Sequence, residues 1–145
     1  MRRACLASVA AIAIAVVACT SHDSQSLPCV ANLSLDCKPL YDPPIYQTIF
    51  DRTLHPTCAS GSGTCHTSDA AKGGLVFENA DAAYALLLGT TDGRKRVLAG
   101  DPACSLVMIR LSSGDPAVHM PPGTTFLPDA ERCAIAQWIA AGAKR

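Results

Sequence analysis

The chain lacks an excess of charge of either sign, because its twelve basic side chains are matched by twelve acidic ones. No basic patch indicates nucleic acid as a partner, and the one cluster, Arg94-Lys95-Arg96, is more typical of a solvated loop than of a binding site. The sequence also lacks a nucleophile–base arrangement, a phosphate-cradling glycine loop and a recognisable acid pair. These absences argue against a nucleic-acid-binding protein, and we do not predict an enzyme.

Long hydrophobic runs are also missing, apart from one at the start of the chain. The apolar run from Leu6 to Ala18 follows Arg2 and Arg3 and is too short to span a bilayer comfortably, which is typical of an export signal. It ends in Val16-Val17-Ala18-Cys19, which resembles a bacterial lipobox. We therefore predict a signal peptide over 1–18 and a lipidated Cys19 that anchors the exported protein to a membrane, facing the periplasm or the cell surface. The alternative is ordinary secretory cleavage with Cys19 incidental.

Cysteine and histidine form the most informative motif that the sequence does contain. Cys58 and Cys65 are separated by six residues, and His66 follows directly. Two thiols and an adjacent imidazole form the pattern by which haem is attached covalently and its iron is ligated. The usual motif has two residues between the cysteines, so four extra residues must be looped out here. Gly61-Ser62-Gly63 is suited to that, because glycine permits the positive backbone angles of a tight excursion.

Six cysteines remain after the signal peptide and the lipidated residue are set aside. An even number in an exported protein indicates disulfides, haem attachment or both. Proximity in the sequence favours a bridge between Cys29 and Cys37. Cys104 and Cys133 would then pair with each other, provided that Cys58 and Cys65 either both attach haem or bridge each other.

Four segments have a helical hydrophobic period, and nothing alternates as a strand for long. They are Ile45 to about Leu54, Ala80 to Leu88 capped by Asn79, a helix opening at Asp101-Pro102, and one opening at Pro128-Asp129 that carries Trp138. Trp138 is expected to pack in the core against the first helix. Long loops over 57–78 and 113–127 hold the candidate ligands. We predict an all-α fold, with a tether over 19–44 and a small domain over 45–145.

The order of these motifs resembles the small class I cytochrome c domains of exported bacterial lipoproteins. The resemblance covers roughly 45–143, and its most specific parts are Met120-Pro121-Pro122-Gly123 and the terminal helix with Trp138-Ile139-Ala140-Ala141-Gly142-Ala143. It implies thioether attachment of haem c at Cys58 and Cys65, with His66 and Met120 as iron ligands. It also implies a membrane-tethered electron carrier with a redox protein as its partner. His119 is the alternative to Met120 as the second ligand.

A second hypothesis keeps the fold without the cofactor. A disulfide between Cys58 and Cys65 would close a small Gly/Ser loop, which is chemically easy in an exported protein. Haem would then be absent, and the protein would be a disulfide-stapled lipoprotein with a structural or binding role. A zinc site built from the same cysteines and nearby histidines has workable ligand types but is a distant third hypothesis.

Overall fold

The structure is a computed structural model that describes residues 26–60 and 64–145. A helix α1 over Tyr46–Ile49 continues without interruption into wider π-helical turns over Phe50–Ala59. We call Tyr46–Ala59 the N-terminal helix. A short 3₁₀ turn, Lys72–Gly74, precedes helix α2 over Ala80–Leu88. Helices α3 (Leu106–Ser112) and α4 (Asp129–Ala140) complete the helical elements.

The prediction of an all-α fold is wrong. Between α2 and α3, strand β1 (Thr90–Thr91) pairs antiparallel with strand β2 (Arg94–Lys95), and most of the described chain lies in loops and turns. The hairpin turn is Asp92-Gly93, in which both residues have positive φ, of 49° and 73°. Asp-Gly is a strong signal for such a turn because glycine adopts that conformation without a side-chain clash. A search for long alternation misses strands of two residues.

Two predicted helix boundaries were also wrong. The N-terminal helix runs past Leu54 to Ala59 with Pro56 inside it, so Cys58 lies in the helix and not in a loop. Helix α3 begins at Leu106 and not at Asp101, because the side chains around Asp101 bond locally. Its carboxylate accepts from the Cys104 N–H at 3.1 Å, and its carbonyl accepts from the Ser105 hydroxyl at 2.8 Å. These bonds hold a separate turn before the helix.

Aromatic rings join the first and last helices in the core. Tyr46 is fully buried, and its ring centroid lies 5.5 Å from that of Trp138 and 4.9 Å from that of Tyr84. The Trp138 indole donates to the Lys144 carbonyl at 2.6 Å, which satisfies its buried N–H. The prediction that Trp138 packs against the first helix is confirmed.

Both disulfides attach the segment before the N-terminal helix to the rest of the fold. Cys29 pairs with Cys104, and Cys37 pairs with Cys133 on α4. The predicted Cys29–Cys37 and Cys104–Cys133 pairings were therefore wrong, because proximity in sequence did not decide which sulfurs meet. Backbone bonds from Val30 to Ala103 and from Leu40 to Ala130 support the same attachment.

Several predictions concern residues outside the described ranges. They are the signal peptide over 1–18, the lipidated Cys19, and the Gly61-Ser62-Gly63 excursion within the cysteine motif. The division into a tether and a domain also stays a prediction. Across 26–60 and 64–145, no helix has both the length and the apolar character needed to cross a membrane.

Candidate functional site

An apolar cleft of about 640 Å³ lies between the N-terminal helix, the loop after the cysteine motif, α3 and the loop that leads to α4. Its wall is made mainly of aliphatic and aromatic side chains, with a few polar groups among them. The volume is in the range of sites that bind cofactors and other small molecules. Cys58, Cys65, His66 and Met120 all line this cleft, so the structure brings the four predicted haem-site residues together.

The cysteine motif keeps the register of a helical turn despite its extra residues. With two residues between the cysteines, the histidine would follow the first cysteine by four positions, which is the spacing of an α-helical hydrogen bond. In this chain the His66 N–H donates to the Cys58 carbonyl at 3.0 Å across eight positions. The motif therefore closes as though the insertion were absent. Both thiols are half-buried, and neither is in a disulfide.

The imidazole of His66 is held in the form that binds a metal. Its Nδ1 lies 3.3 Å from the Leu75 carbonyl, which can only accept, so this hydrogen bond requires the proton on Nδ1. Nε2 of the neutral ring then keeps its lone pair. Burial lowers the pKa of His66 and outweighs the opposing backbone contacts. The Phe77 ring, 5.1 Å away, and the Phe77 N–H, which donates to the His66 carbonyl at 2.8 Å, fix this segment.

His55 lies outside the cleft lining and supports the segment that carries Phe77. It is half-buried in the N-terminal helix, its ring stacks on Phe50, and its Nδ1 lies 2.8 Å from the Phe77 carbonyl. His55 thus holds Phe77, which packs on His66. Since its contact is with the backbone, His55 acts as a structural support in this arrangement.

Met120 and His119 are neighbours in sequence but lie in different surroundings. Met120 lines the cleft, and its N–H donates to the Arg110 carbonyl at 2.9 Å. His119 is buried away from the cleft, with its ring centroid 4.1 Å from that of Phe126. In the described part of the chain its Nε2 has no hydrogen-bond partner. Of these two candidate ligands, only Met120 is positioned for a group in the cleft.

The thiol of Cys58 is held in its neutral form. Burial raises its pKa to about 11, and the charges of Glu131 and Cys65 act in the same direction. The thiolate is the reactive form of cysteine in disulfide exchange and alkylation. Cys58 is therefore a protonated thiol at neutral pH in the chain without a cofactor, and it has little thiolate for exchange or alkylation.

Arg96 is a site residue that the sequence analysis missed. The sequence assigned it to a solvated loop, but its side chain is buried and lines the cleft. Its Nη1 donates to the Leu86 carbonyl at 2.9 Å, and its Nη2 donates to the Gly73 carbonyl at 2.8 Å. Arg96 follows β2 directly, and the hairpin directs its side chain inward. The Asp-Gly turn was the local signal from which the hairpin, and with it the position of Arg96, could have been predicted.

The residues of the cleft fit a covalently bound haem. Two unbridged thiols, an imidazole hydrogen-bonded through Nδ1 and a thioether line one apolar space. Among the described residues, no three His, Cys, Asp or Glu side chains converge on a common metal position. A haem does not need such a cluster, because the porphyrin nitrogens hold the iron and the protein adds axial ligands.

One known protein family matches a segment of the chain that includes part of this cleft. The family described as Planctomycete cytochrome C matches residues 63–123, which is less than half of the chain. The matched segment contains Cys65, His66, Arg96 and Met120, whereas Cys58 lies before its start. No curated protein and no solved structure matches the chain. Together with the cleft, the family match supports a cytochrome c-like domain in this protein.

Proposed function

We propose that the protein is an exported, membrane-tethered c-type cytochrome that carries single electrons. Haem is attached through Cys58 and Cys65, and the iron is ligated by His66 and Met120. The observation that carries this proposal is the convergence of both thiols and both ligand side chains on one apolar cleft. The family match over residues 63–123 supports the same function.

Attachment needs no other reactant besides the haem and the two thiols. Cys58 and Cys65 would hold the haem by thioether bonds, in which each S–H would add across one vinyl group, with the sulfur on one vinyl carbon and the hydrogen on the other. The Cys58–His66 hydrogen bond keeps one thiol and the imidazole in helical register across the insertion. The role of the extra residues is then only to connect the two halves of the motif.

The bound haem supplies a reversible one-electron couple, and the protein controls its surroundings. Burial lowers the pKa of His66 and so favours the neutral form that ligates, and the apolar wall limits the access of water. His66 and Met120 would be the two ligands that the protein gives to the iron, and a thioether ligand would raise the reduction potential. With both ligands supplied by side chains, the protein would serve as a carrier and not as an enzyme. A lipid on Cys19 holds it at the membrane, where a redox protein exchanges electrons with it.

The second candidate function is a haem-free, disulfide-stapled lipoprotein. The Cys29–Cys104 and Cys37–Cys133 bridges favour it, since they constrain the fold without a cofactor. In that case Cys58 and Cys65 bridge each other, and the cleft serves to bind another apolar molecule or to support the structure.

Intact mass of the full chain distinguishes the two functions. The protein is produced in cells that mature cytochromes c and compared with its Cys58→Ser, Cys65→Ser and double variants. The proposal expects one covalent haem in the unmodified chain, weaker single attachment in each single variant, and none in the double variant. A chain that carries no haem and has a Cys58–Cys65 bridge in a mapped digest would establish the alternative.

A further inference from the structure

The two halves of the cysteine motif lie on different elements of the structure. Cys58 is in the last turns of the N-terminal helix, whereas Cys65 and His66 lie in the segment between this helix and α2. One hydrogen bond between the halves joins the His66 N–H to the Cys58 carbonyl at 3.0 Å. Pro56 has no N–H to donate within the helix, so the turns that carry Cys58 have fewer internal hydrogen bonds. This end of the helix therefore depends on contacts from outside it.

His55 supplies a side-chain contact between the two halves. It precedes Cys58 by three positions in the same helix, and its Nδ1 lies 2.8 Å from the Phe77 carbonyl. A carbonyl only accepts, so Nδ1 carries the proton and donates. Phe77 in turn donates its N–H to the His66 carbonyl at 2.8 Å, and its ring lies 5.1 Å from the imidazole of His66. A continuous row of contacts therefore joins the helix that carries Cys58 to the candidate iron ligand.

The surroundings of His55 hold this contact in place. Its ring stacks on Phe50 with the planes 27° apart, and Phe50 is itself buried in the core. Phe77, which accepts the hydrogen bond, is 3% exposed. Loss of the His55 donor would leave the carbonyl of a buried residue without an equivalent partner, which is unfavourable. The contact is therefore one that the folded chain retains.

We propose that His55 is a positioning residue for His66 and keeps the two halves of the expanded motif in register. With the usual spacing, one continuous helical turn carries both cysteines and the histidine. Here the N-terminal helix ends at Ala59, before Cys65. The hydrogen bond from His55 to Phe77 replaces the missing turn from the side of the helix. The consequence for haem attachment rests on the proposed function, whereas the positioning of His66 does not depend on it.

Hydrogen exchange in the haem-free protein tests the positioning by itself. The full chain carries Cys58→Ser and Cys65→Ser, so that both structural disulfides stay intact and the motif cannot bridge. His55→Phe keeps a ring to stack on Phe50 but removes the donor, whereas His55→Asn keeps a donor close to the position of Nδ1. The His66 N–H should exchange about fivefold faster in His55→Phe, as expected for the loss of one hydrogen bond. In His55→Asn it should exchange at the rate of the parent, and NMR measures all three rates.

Two comparisons separate positioning from a general loss of stability. The N–H groups of α4 report on the opening of the core, and Met108→Leu is a destabilised control with a change in the core of α3. In His55→Phe the His66 N–H should be accelerated more than those of α4, whereas Met108→Leu should cause no such selective change. An unchanged His66 rate in His55→Phe, an equal acceleration in α4, or no recovery in His55→Asn overturns the proposal.

A shortened motif tests the consequence for haem attachment. Removal of residues 61–64 joins Ser60 to Cys65 and leaves the usual two residues between the cysteines. A helical turn can then set the register, so His55 should no longer be needed. In cells that mature cytochromes c, His55→Phe should lower the share of chains with both thioethers when the motif is expanded, and leave it unchanged when the motif is shortened. Peptide masses after alkylation of the free thiols give this share.

The outcomes separate this proposal from the haem function. An equal effect of His55→Phe on the two motifs, or no effect on the expanded one, overturns the role of His55 in attachment. If no chain carries haem, the proposed function fails, and the hydrogen exchange of His66 still supports or overturns the positioning.

A measurement on the chain with an intact His55 covers the case in which His55→Phe does not fold. NMR of the ring nitrogens should show that the neutral ring of His55 carries its proton on Nδ1 and that this N–H exchanges slowly. A neutral ring with its proton on Nε2 excludes the hydrogen bond to Phe77 and overturns the proposal.

Discussion

At the scale of single residues, two methionines have different roles, one in the cleft and one in the core. Met120 is half-buried on the wall of the cleft, on a segment stiffened by Pro121 and Pro122. Met108 is 1% exposed in α3 and belongs to the core. A thioether in the cleft is available to a metal, whereas one in the core only fills space.

Substitution of these methionines should therefore have different effects on the matured protein. Met120→Ala should remove the Met–iron charge-transfer band and lower the reduction potential, because the thioether favours the reduced iron. Met108→Leu should keep both the band and the potential, with a loss of stability of roughly 1 kcal/mol. Absorption spectra and redox titration of the two variants measure this. A band that persists in Met120→Ala would exclude Met120 as the ligand.

Cys58 provides a prediction about pH in the haem-free chain. With a pKa of about 11 against an ordinary value of 9.0, the folded state keeps its proton while the unfolded state loses it. The folded chain is therefore stabilised below pH 9, and this contribution is lost as pH rises from 9 to 11.

Alkylation of Cys58 at pH 8 should accordingly be on the order of a hundredfold slower in the folded than in the unfolded chain. The rate of alkylation should rise with pH up to about 11. Mass spectrometry of the peptide that contains Cys58 measures this rate. The same cysteine in denaturant is the control. A folded-state rate that levels off near pH 9 would show that the thiol is not buried as described.

At the scale of elements, α2 is specified by its own ends. The Asn79 side chain accepts from the N–H groups of Asp81 and Ala82, both at 3.0 Å, which satisfies two donors that a helix start leaves open. The helix ends at Gly89, where Arg96 holds the Leu86 carbonyl. The start of α2 is therefore fixed by a local cap, and its end contacts Arg96 in the wall of the cleft.

Loss of the cap should destabilise the protein without changing the cleft. Asn79→Ala is expected to lower the free energy of unfolding by about 1 kcal/mol, and Asn79→Ser should recover most of it, because serine also caps helices well. Denaturant titration of the three proteins measures the difference. Equal stability of the alanine and serine variants would mean that the cap does not contribute.

The whole molecule depends on two covalent links that cross most of its length. The disulfides join residues 75 and 96 positions apart and hold the segment before Tyr46 against α4 and the loop before α3. Gln137 of α4 adds hydrogen bonds to the carbonyls of Leu35 and Cys37. These contacts join the segment to α4 and to the loop before α3 within the described residues.

Removal of either bridge should be costly because each closes a long loop. Replacing Cys29 and Cys104 by serine, or Cys37 and Cys133, is expected to reduce stability by about 4 kcal/mol in each case. Thermal unfolding gives the change, and a mapped digest of the unmodified chain checks the pairing itself. A peptide that joins Cys29 to Cys37 would contradict the structure.

Local sequence signals predicted the parts of the molecule that depend on neighbouring residues. Helix α2 has the predicted bounds, because its period, Asn79 cap and terminal Gly89 are all contained within a few positions. The start of α4 was equally predictable from Pro128 and the acids that follow it. The two short strands could also have been found locally, since Asp92-Gly93 specifies the turn that joins them.

The sequence by itself determined which side chains are available for chemistry: two thiols and a histidine in one motif, and a methionine far along the chain. Only the tertiary structure decided which of them meet. It brings Cys58 and His66 into helical register across the insertion, places Met120 and not His119 in the cleft, and buries Arg96 beside them. It also pairs Cys29 with Cys104 and Cys37 with Cys133, across 75 and 96 positions. The physical reason is that such contacts depend on how helices pack in space, and residue patterns of local range do not carry that information.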